Sequence, residues 1–332
     1  METIEVRTLN SDEYSLWDDL VAVSPQGTIF HSSQWLVTAG HEAGFKTELL
    51  GAFCNNQLVG GCAIHAYQIA GFFTAIKSTT PLTPYGGIIL PPHESTKVRE
   101  REKDEWMIIQ SLLAGIHGKR PYFTSLTMSP LVIDVRPYIW QGWEDIIRYC
   151  YIFPISGTNI EQRISKNSRR SIKKAEKSGI VVRQKWDKDS YWDLTVNTYL
   201  KQGIRPPFSQ KLLFSLIENI QTTRCGDMWI AETESGEAAS AEILIWDHTM
   251  AYRWSAASHE KYNDTGSTSL LILEIMKYLQ EKNVGIYNMM AANTPHLAKF
   301  IASFNPELVP YYSVQKERGI LKIGNTVRSV FR

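Results

Sequence analysis

The sequence predicts an α/β protein of the α+β kind, built from two copies of one unit in which a mixed, mostly antiparallel sheet is flanked by helices. Three observations carry this reading. At 332 residues the chain exceeds what one hydrophobic core usually serves. Two separate stretches each run hairpins first, then helix and strand. Each of these stretches also follows a pair of segments with helical periodicity.

In the first half, "SDEYSLWDDLVAV" and "SSQWLVTAGHEAG" are the helical pair. "ELLGAFCNNQLVGGCAIHAY" then sets Asn55 and Asn56 between two apolar strands, as a hairpin requires. A third strand is expected over 85–90 after a Pro-rich loop, followed by a helix over about 97–117 and a strand over 123–128. No late helix is evident in this half.

The middle differs. "GTNIEQRISKNSRRSIKKAEKSG" predicts one polar, basic helix stopping at Ser178-Gly179. "SYWDLTVNTYLKQG" and "FSQKLLFSLIENI" are helical in period and separated by the breaker "IRPP". "MWIAETESGEAASAEILIWDHTMAYRWSAA" gives three strands, turning at Ser235-Gly236 and at Asp247-His248. A helix over 267–282, a strand in "VGIYNMM", a helix in "TPHLAKFIASF" and a closing strand in "ELVPYYSV" complete the second half. The expected domains are 1–155 and 156–332, the second beginning with the basic helix.

Net charge is +1, from 35 basic and 34 acidic residues, which excludes a global field for nucleic acid or membrane. No apolar run is long enough to span a bilayer, and the first residues lack the order of a secretion signal. Cys54, Cys62, Cys150 and Cys225 form no C-x-x-C pair, and the eight histidines fall at no metal-ligand spacing. The expectation is a cytoplasmic protein with structural thiols, no metal and no permanently bound cofactor. The absence of G-x-S-x-G, H-E-x-x-H and P-loop patterns sets aside serine hydrolase, zincin and NTPase readings.

Two local signals remain. Residues 161–177 carry seven cations against Glu161 and Glu176, a local excess of +5. At helical spacing Arg163, Arg170, Lys174 and Lys177 share one side, and Lys166, Arg169 and Lys173 extend it. Such a face suits a phosphate-rich ligand or an RNA backbone, and without aromatics it is not suited to base stacking. Arg169, Arg170 and Lys173 are its candidate anion contacts. Second, "YNDTGSTSLLILEIM" turns at Gly266 into an apolar helix. The amides around Gly266, Ser267 and Thr268 suit either a plain turn or a phosphate at a helix N-terminus.

The motifs "FHSSQWL", "TPYGGIIL", "SKNSRRSIKKAEKSGI", "TYLKQGIRPPFSQKLLFSLI" and "HLAKFIASFNPELVPYYSV" occur in one order across nearly the whole chain. The series resembles the FemAB-like acyltransferases of the GNAT superfamily, whose relatives include peptidoglycan bridge-forming aminoacyltransferases. The resemblance implies two tandem GNAT-like domains. It also implies transfer of an acyl or aminoacyl group to an amine, with acyl-coenzyme A or aminoacyl-tRNA as co-substrate. The acceptor would be a small molecule or a cell-envelope precursor, in cell-envelope or polysaccharide biosynthesis.

Departures narrow this. Of the six residues Asn263 to Thr268, only Gly266 matches the superfamily's phosphate pattern, and Asp264 adds a negative charge. Leu36 to Ala39 follow Trp35 where bridge-forming members carry a lysine, and Ile301 stands where many have another. The long helical-hairpin arm of those members is also missing, so the peptidoglycan precursor itself is not the expected acceptor.

Acyl transfer needs a proton acceptor and a polarised carbonyl. The candidates are Glu242, Tyr252, Ser255 and Asn293, with Glu242 directed to solvent or a cleft if Ala241 and Ile243 face the core. Tyr85, Gly86, Gly87, Arg205 and Trp254 are the candidate acceptor pocket, the glycines allowing close approach and Arg205 suiting a carboxylate. The alternative is a non-catalytic module that binds RNA or another polyanion through 161–177.

Overall fold

The computed structural model describes residues 3–318; residues 1, 2 and 319–332, the outer ends of the two expected domains, lie outside the described residues. β1 (Glu5–Thr8) leads into α1 (Tyr14–Val23) and α2 (Ser33–Glu42), whose start is fixed by the Ser32 side chain accepting from Trp35 N. β2 (Lys46–Cys54) and β3 (Gln57–Ile69) form the expected hairpin, with Asn55 and Asn56 both left-handed as its two-residue turn demands. β4 (Phe73–Lys77) follows across a turn in which Ala70 and Gly71 have φ of 52° and 81°.

The strand expected over 85–90 is corrected by this. The one strand there is β5 (Ile88–Ile89), paired with β3, with an isolated bridge from Gly86 to Met128, and the third strand of the meander is the short β4. Residues 85–90 are all buried, so burial rather than pairing explains their apolar character. α3 (Val98–Gly118) and β6 (Phe123–Thr127) stand where periodicity placed them. The late helix not found in the sequence exists as a single turn, α4 (Arg136–Ile139), and a long strand, β7 (Glu144–Pro154), follows it.

The basic segment is two helices, α5 (Ile160–Arg163) and α6 (Lys166–Lys177), instead of one. Ser165 divides them: its backbone is extended and its side chain caps the new helix by accepting from Ser168 N at 3.1 Å. The expected stop at Gly179 holds, with φ of 68°. There follow β8 (Val181–Gln184), α7 (Lys188–Leu200), α8 (Gln210–Thr223), β9 (Gly226–Glu232), β10 (Ala238–Trp246) and β11 (Ala251–Ser258). The chain continues through α9 (Ser267–Glu281), β12 (Ile286–Ala291), α10 (Pro295–Ala302) and β13 (Glu307–Glu317).

One continuous sheet joins both halves, in the order β1-β2-β3-β4-β6-β13-β7-β12-β11-β10-β9-β8. Replacing each strand by its counterpart in the other half gives the same order read backwards. The centre explains the symmetry. β13 lies between β6 and β7, and β7 lies between β13 and β12, so each half inserts its closing strand beside the other's. The two closing strands pair antiparallel from Glu307↔Ile152 to Gln315↔Glu144.

The core is shared as well. Phe30, Trp35 and Tyr85 of the first half pack with Tyr252 and Trp254 of the second, edge-on or tilted, with Phe30–Tyr252 and Trp35–Trp254 centroids 5.1 and 5.2 Å apart. Trp254 Nε1 donates to Leu82 O at 2.7 Å and Trp35 Nε1 to Thr83 Oγ1 at 3.0 Å. Asp247 completes the clasp. Its carboxylate accepts from Ile29 N across the halves and, on its own side, from Tyr252 OH and the amides of Thr249 and Met250.

Two buried histidines give the fold a pH dependence. His31 Nδ1 lies 2.8 Å from Thr28 Oγ1 and His65 Nδ1 lies 2.9 Å from Thr47 Oγ1, and burial pushes both rings down to about 4. A ring kept neutral in the fold contributes stability above its unfolded value near 6.5. That stability is lost as pH falls toward 4, because the unfolded chain takes up the proton first. Urea titrations at successive pH values should therefore show unfolding free energy falling steadily between about pH 6.5 and 4. His65→Gln should flatten that slope.

Candidate active site

The second half contains a gap in its sheet. β11 and β12 are parallel neighbours, but they pair only at Ala251↔Tyr287 and Tyr252↔Asn288. From Arg253 to Ser258, among the described residues, the edge of β11 turned toward β12 has no strand partner. β12 bends away at Met290 and Ala291, both with positive φ, and follows β7. At the end of this edge Ser258 N donates to Thr198 Oγ1 at 2.9 Å, and amides left without a strand partner are available to other acceptors.

The matching place in the first half is closed. β4 and β6 pair through Lys77↔Ser125, and the loop after β4 then fills the divergence. Ser78 N donates to Ser125 O, Thr127 N donates to Ser78 Oγ, and Gly86 N donates to Thr127 O at 2.8 Å. Gly86 has no room for a side chain, since a Cβ would stand 2.2 Å from Ser78 O. One gap is plugged and the other is not.

Glu242 is buried, contrary to the expectation of solvent or cleft. Ala241 and Ile243 face α7 and α8, as supposed, but α9 covers the opposite face, so β10 has no wet side. Glu242 accepts from Arg253 Nε at 2.7 Å and from Tyr287 OH, and burial raises its carboxyl above the usual range. Its oxygens are thus committed within the core. Tyr252 is likewise buried, its hydroxyl given to Asp247 at 2.8 Å. Asn293 is exposed and clamps β7: its amide accepts from Tyr149 N and donates to Tyr149 O at 2.9 and 2.8 Å. Ser255 accepts from Tyr191 OH at 2.7 Å beside the gap.

The glycine turn is tied to the basic helix. Gly266 has φ of 85°, and a Cβ there would come within 2.2 Å of Ser171 O, so the glycine is what lets α6 lie against the start of α9. Ser267 N bonds Thr265 Oγ1, and the amides of Ser269 and Leu270 turn back to Gly266 O. Most of the N-terminal amides are therefore used locally. Arg169 is used too: its guanidinium donates to the carbonyls of Glu161 and Ile164, both at 2.8 Å, closing the end of α5. Arg170 and Lys173 remain exposed.

Residues 162–296 match the family described as acetyltransferase (GNAT) domain. The second half thus matches a GNAT domain, and the described chain has the fold of tandem GNAT proteins. Its two-half arrangement is also that of FemX, with a TM-score of 0.68, 11% identity, and 93% of this chain and 96% of that one covered. A tandem GNAT protein from the clavulanic acid biosynthesis pathway gives 0.60 at 13% identity, over 96% and 100%. The C-terminal domain of a putative lysylphosphatidylglycerol synthetase from Agrobacterium fabrum gives 0.59 at 12%, over 92% of each chain. No curated protein matches the sequence. At these identities the likeness is one of fold.

In this tandem GNAT fold the proposed acceptor residues separate. Tyr85 and Trp254 are packed in the shared core, where Tyr85 OH accepts from Asn288 Nδ2 at 3.1 Å; the two rings close the space that a pocket would need. Gly86 and Gly87 serve the plug of the first GNAT half, Gly87 at φ of 94°. Arg205 is exposed on the loop between α7 and α8.

Lys201, at the end of α7, escaped the sequence reading. Its ammonium donates to Ser258 O at 2.9 Å and Asn263 Oδ1 at 3.3 Å, where β11 leaves the gap, and partial burial lowers its pKa. It lies within "TYLKQGIRPPFSQKLLFSLI", but nothing in that stretch singles it out; the fold brings it there.

Four variants test these assignments. Gly266→Ala should destabilise the protein by about 2 kcal/mol or more, through left-handed strain plus the clash with α6. Gly236→Ala shares the positive φ but meets no atom within 4 Å and should cost about 1 kcal/mol or less. Glu242→Gln leaves Arg253 buried without a counter-charge and should cost about 3–5 kcal/mol, whereas the double change to Glu242→Met with Arg253→Met should recover most of it. Chemical denaturation checks all four.

Proposed function

We propose that this protein is an acyltransferase that moves an acyl or aminoacyl group from an activated donor to an amine. Its modules are residues 1–155 and 156–332, and its donor site is the β11/β12 gap. One observation supports this most: β11 and β12 part after two paired positions in the half matched by the acetyltransferase domain, whereas a loop bridges the matching place in the other. Amides of β11 before Ser258, where the strand has no partner on this edge, are suited to hold the donor's carbonyl as negative charge develops on it. Lys201 is suited to the donor's phosphates, which acyl-coenzyme A and aminoacyl-tRNA both carry.

Glu242 is enclosed by Arg253 and Tyr287, so it acts as a positioning group beneath β11. The proton leaving the amine goes to water or to the substrate itself. The acceptor is a small molecule or a cell-envelope precursor. A second reading, a non-catalytic polyanion-binding module, is favoured only by the cations of α6.

The test is direct. Purified protein is mixed with acetyl-coenzyme A and, separately, with aminoacyl-tRNA, and donor binding and loss of the acyl group to an amine panel are followed. Lys201→Ala should weaken donor binding about tenfold or more while the unfolding midpoint stays within a few degrees. Failure to bind either donor at low salt would sink the proposal.

A further inference from the structure

The acyl-transfer reading leaves the outer face of α6 unused. The inner stripe of this helix, Ser168, Ile172 and Ala175, is buried, with Ser168 Oγ donating to Ser303 O at 2.9 Å. At about 100° per residue, Lys166, Arg170, Lys173, Lys174 and Lys177 fall in one arc opposite that stripe. All five are exposed, and no carboxylate of the described residues forms an ion pair with them. The neighbouring cations are different, since Arg163 pairs with Glu307 and donates to Asn305 O while Arg169 holds α5. Glu176 lies off the arc.

The face is rigidly mounted and uncompensated, and its chemistry is diffuse. Four of the five cations are lysines, which act as point charges without the forked geometry that reads a particular phosphate. No aromatic side chain stands among them to stack on a base. A cluster of this size on one helix face matches a surface of spread negative charge. We propose that the outer face of α6 docks the protein on an anionic phospholipid bilayer. The docking stands independently of the acyl-transfer reading, and a donor assay does not decide it.

The full-length protein is sedimented with phosphatidylcholine vesicles, with and without about one-third phosphatidylglycerol, at about 0.1 M and 0.5 M salt. Binding is expected only with the anionic lipid and should weaken markedly at the higher salt. Each lysine near such a surface strengthens binding roughly fivefold, so the triple change Lys173→Ala, Lys174→Ala, Lys177→Ala should weaken it on the order of a hundredfold. The same three positions changed to Arg should retain it. If the alanine variant melts early, the arginine variant and the salt series carry the test. Equal binding to neutral vesicles, or an alanine variant that folds and binds like the parent, overturns the proposal. So does tighter binding to duplex RNA than to anionic vesicles at the same salt, which would mark a nucleic-acid surface.

Discussion

The structure depends on the exchange of two closing strands. A strand that ends a sheet leaves a row of amides and carbonyls unpaired, and leaving them dry costs free energy. Here β6 and β12, the last strands laid down before each closing segment, are both completed by a strand from the other half. The shared core, the Asp247 clasp and the packing of Trp254 against the 80–85 loop follow from that exchange, because it brings the two halves face to face.

The same arrangement leaves the halves free to differ. With the backbone ladder satisfied at the centre, the places where β4 leaves β6 and β11 leaves β12 are free to vary. In one, a Pro-rich loop with two glycines folds back and takes up the loose hydrogen bonds. In the other, no loop re-joins the strands, and the end of α7 bonds the end of β11 through Thr198 and Lys201. The ion pair of Glu242 and Arg253 lies just beneath and fixes β10 against β11 at the irregular step between Ile243 and Leu244.

Much of the fold was legible because local chemistry and tertiary need agreed. Asn55 and Asn56 announce a tight hairpin, and Gly179 a helix stop, whatever surrounds them. β4 and β7 were hidden for opposite reasons. β4 is short and follows a turn without a strong dipeptide signal, while β7, "EDIIRYCYIFP", mixes charged and aromatic residues because parts of it are exposed. The site was less legible still. Nothing in "SAEILIW" says that a helix covers both faces of β10, and nothing in the basic run says that Arg169 will be spent on carbonyls of its own segment. Lys201 becomes visible only when α7 is set beside the end of β11.

The exchanged strands also bear on how such a chain arises. A solitary module with this connectivity can complete its sheet with the last strand of a second copy, giving a swapped dimer whose halves part on dilution. Covalent linkage replaces that dependence with a fixed, high effective concentration. It also releases the two copies from identity, so that the places where β4 leaves β6 and β11 leaves β12 can diverge in sequence and shape.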